Sequence, residues 1–380
     1  MIPLISDDAT LASYCQRIAK STLLAVDTEF IRQSTLYPKL GLIQLYDGEH
    51  LALVDPLTIT QWQPLIDIFA NVNTVKLLHS CNEDIEAFAT IGITNITPLF
   101  DSQLACQLLG WGNSIGFANL VERISGQLVD KSETRADWLA RPLADKQLNY
   151  AANDVLFLYP LYQTLKQELN EQQLSLLLQE GEQLMLRKEQ KLAPEFKYLE
   201  IKNSWLLTPR ELAVLRELVS WRYQYAQQKD LALGLVLKDA QLFELAKRRP
   251  STVESLFNIP DLPAREVRRH GQTVIQLIEQ AKALPPEDCP QRFYHQDQFI
   301  GYKQQVAAIT AIIKQAAEQQ QIPAEFMSVK RQLHEFVNWC WRVSDQQRLA
   351  LPVPEYFQGW RRQYLLPFLT LPDHVTVNAK

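Results

Sequence analysis

The chain has 380 residues, 47% of them hydrophobic, with eight Trp, 12 Gly and a formal net charge of −5, enough for two or three globular domains with filled cores. Its first residues, MIPLISDDAT, lack a basic segment followed by an apolar run, and no stretch approaches the roughly 20 apolar residues that cross a bilayer, so neither a secretory leader nor a membrane span is expected. Five cysteines at 15, 81, 106, 289 and 340 form no Cys-x-x-Cys pair, which argues against a disulfide framework or structural zinc and for a reducing, cytoplasmic location.

Short apolar runs at Leu23–Phe30, Leu42–Tyr46, Leu51–Val54 and Val75–Leu78 predict strands, followed by helical patterns near 81–91, 101–109, 116–124 and 144–170. Together they predict a mixed sheet with helices on its faces. Asp47-Gly48 in YDGEH signals a tight hairpin, so the strands on either side of it should be antiparallel neighbours. From about Leu174 a long Leu, Gln and Glu-rich helix takes over, leading into a charged connector at 187–205. Beyond it strand signals vanish, and the three prolines in ALPPEDCP (283–290) divide the remainder. The expected organisation is 1–170, an extension at 171–205, and helical pieces at 206–288 and 291–375. Trp221 and Trp339 sit in similar phrases, ELVSWRYQ and EFVNWCWR, but at different depths, so no register-matched repeat is expected.

Charge is unevenly spread. Residues 1–170 carry 11 Lys plus Arg against 19 Asp plus Glu, whereas the rest of the chain is net +3. An acidic first part suits either carboxylates gathered for divalent cations or a solvated acidic surface. AVDTEF (25–30) favours the former. Strand side chains alternate, so Asp27 and Glu29 share one face while Val26 and Thr28 share the other. Two like charges side by side in a core are costly unless a cation lies between them. A third acid, Asp84, stands in the first helical turn after the strand that ends at Leu78, where acids are also tolerated for the helix dipole alone. Tyr150 and Asp154 are four apart and share a helix face.

The ordered set Asp-x-Glu, Asp and Tyr-x-x-x-Asp lies in AVDTEF, LLHSCNEDIEAF and QLNYAANDVLFLYPLY. It resembles the DEDD exonuclease superfamily in its tyrosine-bearing subgroup, and within it the ribonuclease D family. LYPKLGLIQL and RADWLARPL extend the likeness, and WLLTPRELAVLRELVSWRYQYA with LKDAQLFELAKRRP resembles the HRDC helical domain that this family shares with certain helicases. The resemblance implies an α/β ribonuclease H-like exonuclease domain followed by two small all-α domains. It also implies metal-dependent 3′-to-5′ hydrolysis of RNA that releases 5′-mononucleotides, with transfer-RNA precursors bearing 3′ extensions as the substrate class. A monomer is expected. Oxygen-only ligands suit two divalent ions, Mg²⁺ or Mn²⁺, rather than zinc. In the family arrangement Asp27 bridges both ions, Glu29 and Asp154 hold the one beside the nucleophilic water, Asp84 acts through water on the other, and Tyr150 orients the nucleophile.

Two rivals remain at this stage. The same acids serve single-stranded DNA exonucleases, since nothing in the motifs reads a 2′-hydroxyl, and a catalytically silent nucleic-acid-binding scaffold shares the fold but need not keep every acid. For substrate contact, Phe30 and Tyr37 are candidates to stack on the last bases, although they also read as a strand leading into a loop. His79 either approaches the substrate or fills a structural place. Arg135, Asp137, Trp138 and Arg141 are read as a helix cap and phosphate clamp, with Arg135 as the phosphate contact and Asp137 and Trp138 as capping residues. AKRRP (246–250) and AREVRRHG (264–271) either grip the RNA backbone or form solvated helix faces.

Overall fold

The computed structural model describes residues 2–129, 133, 136–190, 192–292, 300–341 and 343–372. Its first part is a six-stranded mixed sheet in the order β1-β4-β3-β2-β5-β6, built from β1 (Leu4–Ile5), β2 (Leu23–Ile31), β3 (Lys39–Tyr46), β4 (Leu51–Val54), β5 (Val75–Leu78) and β6 (Leu99–Asp101). β2 runs antiparallel to β3, and β3 to β4, while β5 and β6 continue parallel to β2. All four expected strands are present, and the Asp47-Gly48 turn joins β3 to β4 as predicted. Gly48 has φ +101° and its Cα faces Tyr159, so a side chain there would meet strain and a ring at once.

The helices flanking the sheet are α1 (Asp8–Ile18), α2 (Gln63–Ala70), α3 (Asn82–Ala89), α4 (Ser102–Leu108), α5 (Phe117–Ser125) and α6 (Asp145–Glu168). One sheet face buries Val26, Ile43 and Leu45 with Leu11, Leu65, Ile85 and Phe88 from α1, α2 and α3. The other buries Ala25 and Leu77 with Ala105, Leu120, Val155 and Leu158 from α4, α5 and α6. The register pairs Asp27 with Gln44 and Glu29 with Leu42, then slips so that Phe30 faces Leu40. Gly41 is therefore an extra residue in β3, a bulge beside the acidic stretch of β2.

The helix expected to reach 170 ends at Glu168, and Asn170 caps a new helix, α7 (Glu171–Glu189), which lies over β6, α3 and α4. The first helical domain comprises α8 (Pro209–Lys229), α9 (Leu233–Val236), α10 (Asp239–Arg248), α11 (Val253–Leu256) and α12 (Ala264–Ala283), around a core of its own that includes Leu215, Leu242 and Ile278. The second comprises α13 (Tyr302–Gln320), α14 (Ala324–Met327), α15 (Lys330–Trp341), α16 (Asp345–Ala350) and α17 (Gly359–Leu365). Trp221 lies on the first helix of its domain and Trp339 on the third of the other, so the two phrases are not equivalent.

The two helical domains are attached differently. In the second, Ile309, Ile313 and Phe336 belong to one continuous apolar cluster with Cys106 and Leu177 of α4 and α7. Buried Glu180 of α7 accepts from Trp360 Nε1 at 2.9 Å and pairs with buried Arg361. The first domain reaches the sheet through polar contacts. The Asp230 carboxylate accepts the Leu36 and Tyr37 backbone N–H groups, both at 3.2 Å, and Ala232 N–H donates to Ser34 O at 2.9 Å. Among the described residues no helix is long and apolar enough to cross a membrane.

Candidate active site

β2 carries Asp27 and Glu29 on the face covered by α6, and α6 brings Asp154 down onto them. One carboxylate oxygen from each of the three lies within 4.8 Å of the others. Asp84 arrives from the opposite side, in the first turn of α3, where Thr28 of β2 donates its hydroxyl to one Asp84 oxygen. This leaves Asp84 outside the tight trio but close enough for its charge to act on Asp27 and Glu29.

Electrostatics follow from this crowding. Burial, then the charges of Asp154, Asp84 and Glu29, push the Asp27 carboxyl well above its usual range. Burial, with Asp154 and Asp84 behind it, lifts Glu29 to about 9. Burial raises Asp154 to about 7 and Asp84 to about 6, the Thr28 hydrogen bond holding Asp84 back. Among the described residues no Lys or Arg pairs with Asp27, Glu29 or Asp154. Oxygen donors gathered without a basic partner fit a hard divalent cation, which would supply the missing positive charge.

Tyr150 stands one helical turn before Asp154, half-buried, its ring centroid 6.1 Å from that of Trp138. The segment before α6 is held by Arg141, whose guanidinium forms a bidentate pair with Asp55 at 2.6 Å for each contact and also donates to Gly41 O and Trp138 O. That corrects the clamp reading for Arg141, because its donors are spent inside the fold. Asp137 and Trp138 do not cap α6 either. Asp137 accepts from Leu139 N–H at 3.0 Å, Trp138 is buried, and the helix start is closed by Gln147, whose side chain accepts the Ala144 N–H at 3.0 Å. Arg135 lies outside the described residues.

The remaining candidates are dispersed. Phe30 is half-buried against the core of α1, α2 and α3. Tyr37 sits in the loop held by Asp230. His79 pairs Nδ1 with Ser102 Oγ at 2.9 Å and packs on Phe117 at 5.5 Å, and burial keeps its pKa low, an environment that serves structure. In the basic clusters Arg248 pairs with Glu244, Arg249 with Glu211, and Arg265 and Arg269 with Glu266, so much of their charge is balanced locally.

Two supporting residues escaped the sequence reading. Thr28 reaches Asp84 from the other sheet face. Buried Asp101 accepts the Ser80 and Cys81 N–H groups at 3.1 and 2.9 Å, fixing the turn that launches α3, while capping α4 through Gln103 N–H. The one signal for Asp101 was its place directly before a helix, as an N-cap.

Residues 2–170 match the 3′-5′ exonuclease family model, 211–278 the HRDC domain, and 301–367 the ribonuclease D C-terminal HRDC domain. Ribonuclease D of Shewanella sp. (strain ANA-3) is 41% identical over 363 residues, covering 94% of this chain and 91% of the relative. The Escherichia coli (strain K12) ribonuclease D is 39% identical over 363 residues, covering 95% and 96%. The chain belongs to the ribonuclease D family. The crystal structure of Escherichia coli RNase D, described as an exoribonuclease involved in structured RNA processing, matches with a TM-score of 0.89 at 37% identity over 97% of both chains. The catalytic core of RRP6 from Trypanosoma brucei, at 24% identity and a TM-score of 0.58 over 75% of this chain and 81% of that one, shares the fold. As a member of that family, the chain is a 3′-to-5′ exoribonuclease with an exonuclease domain ahead of two HRDC-type helical domains. Divalent metal is the cofactor this fold implies.

Proposed function

We propose that the protein trims structured RNAs from the 3′ end, transfer-RNA precursors foremost, and that Asp27, Glu29, Asp84 and Asp154 hold two Mg²⁺ or Mn²⁺ ions for the cut. The observation that carries this reading is the trio of carboxylates within 4.8 Å with no basic partner among the described residues. Two such ions, when bound, supply charge for the attacking and leaving oxygens of an in-line phosphoryl displacement. Asp27, whose carboxyl feels the charges of Asp154, Asp84 and Glu29, would be the ligand that the ions share. Glu29 and Asp154 flank it on the α6 side, and Asp84, with one oxygen taken by Thr28, contributes through water. The Tyr150 hydroxyl orients the attacking water; with a reference pKa near 10 it serves better as a hydrogen-bond partner than as a base. The bond broken joins phosphorus to the 3′-oxygen of the preceding nucleotide, so each cycle releases a 5′-mononucleotide. The chain works as a monomer, in the cytoplasm, where its five free, buried cysteines stay reduced.

The test uses matched 3′-tailed RNA and DNA oligomers with Mg²⁺, Mn²⁺ or chelator. A ladder of 5′-mononucleotide loss on RNA, abolished by chelator, is the expected result. Equal or faster degradation of DNA would move the assignment to a DNA exonuclease, and binding without a ladder would leave a scaffold.

A further inference from the structure

Gln44 is fully buried on β3, and no protein atom among the described residues hydrogen-bonds to either its amide nitrogen or its amide oxygen. Among those residues it is the one side chain with two polar atoms both buried and both unpaired. Elsewhere the unpaired buried polar atoms are single ones, such as His79 Nε2, Trp138 Nε1 and Trp339 Nε1, and several other buried polar side chains are fully engaged. Lys76 donates to Asn71 O and Thr97 O, Gln332 to Glu355, and Asp101 accepts four backbone N–H groups. An unmatched buried amide is costly, and an apolar residue would suit the place better. Its same-face neighbours Leu42 and Leu53 pack in one cluster with Ala151 and Ala152 of α6.

The register supplies the reason. Gln44 is paired directly with Asp27 across β2 and β3 on one side, and with Leu53 across β3 and β4 on the other. Directly opposite residues on antiparallel strands share a face, with their Cβ atoms within about 4.5–5.5 Å. The polar side chain within its reach by register is therefore the central carboxylate of the trio. We infer that Gln44 is a positioning residue for Asp27. Its amide N–H, donated across one water, holds the carboxylate in the rotamer that faces the ions, as outer-sphere partners do for metal ligands. A Gln serves better than a Lys or Arg here, because it donates without neutralising the charge that the cations need. This inference rests on the two-ion reading above.

The test is Gln44→Leu and Gln44→Met, two apolar replacements of similar volume that differ in branching, so that at least one packs. Melting in chelator checks the fold, and each variant should melt at or above the wild-type temperature, since an unmatched amide has been removed. The Mg²⁺ concentration for half-maximal cleavage should rise about 10- to 100-fold, the range seen on loss of outer-sphere partners. The metal-induced rise in melting temperature should shrink in parallel, while KM for RNA stays level. A gain in stability alone would be the signature of a packing residue. If the wild type responds to Mg²⁺ and both variants respond identically, the Gln44 assignment is overturned. If the wild type itself shows neither metal-dependent cleavage nor a metal-induced shift, the two-ion reading falls, and this assignment falls with it.

Discussion

Asp27 shows most clearly why these carboxylates need a cation. Asp27→Asn removes one charge from the trio without changing shape, so hydrolysis should be lost while the metal-free protein melts at the same temperature or higher. Mg²⁺ or Mn²⁺ should raise the wild-type melting temperature by mass action, and the variant should lose most of that rise; a variant with near-normal turnover would sink the two-ion reading. The pH dependence has a definite sign. Asp84, Asp154 and Glu29 have folded pKa values raised to about 6, 7 and 9, by burial above all. A raised acid contributes stability that is fully present below its unfolded value, near 4, and is lost as pH rises through the folded value. In chelator, the wild type should therefore lose stability between about pH 4 and 9, and less steeply with Asp27→Asn. Lys76, pulled down to about 7 by burial, works in the opposite sense but is common to both proteins, so the difference between their melting curves is the measure. Tyr150→Phe isolates the other role. It keeps the ring packed near Trp138 and removes the hydroxyl, so single-turnover cleavage of a 3′-labelled RNA should fall about 10²- to 10⁴-fold, with metal uptake and RNA affinity unchanged. Cleavage near the wild-type rate, with about 1 kcal/mol less stability, would return Tyr150 to the core.

At the scale of elements, the site depends on how closely the 138–141 segment lies against the β3 bulge. A Cβ on Gly41 would stand 2.7 Å from Trp138 O and 2.8 Å from Trp138 Cβ, too near for either to stay in place. Gly41→Ala should push that segment outward and, through it, shift the start of α6. We expect about 1–3 kcal/mol of overpacking cost in a urea melt, together with a weaker Mg²⁺ response, because Asp154 and Tyr150 ride on α6. An unchanged metal response at reduced stability would show that α6 is positioned by its own packing alone. The same elements show what could be read from the sequence. Asp27 and Glu29, and Tyr150 with Asp154, were legible because a single element's period, two or 3.6, decides which side chains share a face. The Thr28–Asp84 and Arg141–Asp55 contacts join residues 56 and 86 positions apart, and no local period reports them. That is why the sequence places Arg141 only within a joint helix cap and phosphate clamp. β1 and β6, two and three residues long, are too short to show alternation, and the metal-site acids gave no hint that Gln44 lies opposite them until the β2–β3 register was known.

At the scale of the molecule, the two helical domains differ in what their loss or movement would do. The second shares a continuous core with α4 and α7, so it is part of the body that carries the site. The first has its own core and meets the sheet at the loop after β2, through Asp230 and Ala232. A structured RNA held by both parts benefits from their fixed relative placement, because the second contact is then made at high effective concentration. Asp230 has φ +47° at the end of α8, a conformation that glycine adopts freely. Asp230→Gly therefore removes the carboxylate that receives Leu36 and Tyr37 without straining the backbone, whereas alanine would confound the two effects. Two lost hydrogen bonds of about 0.5–1.5 kcal/mol each, partly offset by glycine's ease in the left-handed region, should lower the melting temperature only modestly. Turnover on a short unstructured RNA should also stay level, since the metal ligands are untouched. Affinity for a structured RNA with a 3′ tail should fall, because the first helical domain is no longer held in line with the site. The measurement is a pair of binding isotherms, one per RNA, at low and moderate salt, where phosphate contacts show as a slope. If both RNAs bind the variant and the wild type equally, the first helical domain does not share the substrate with the exonuclease domain, and the contact at Asp230 serves folding alone.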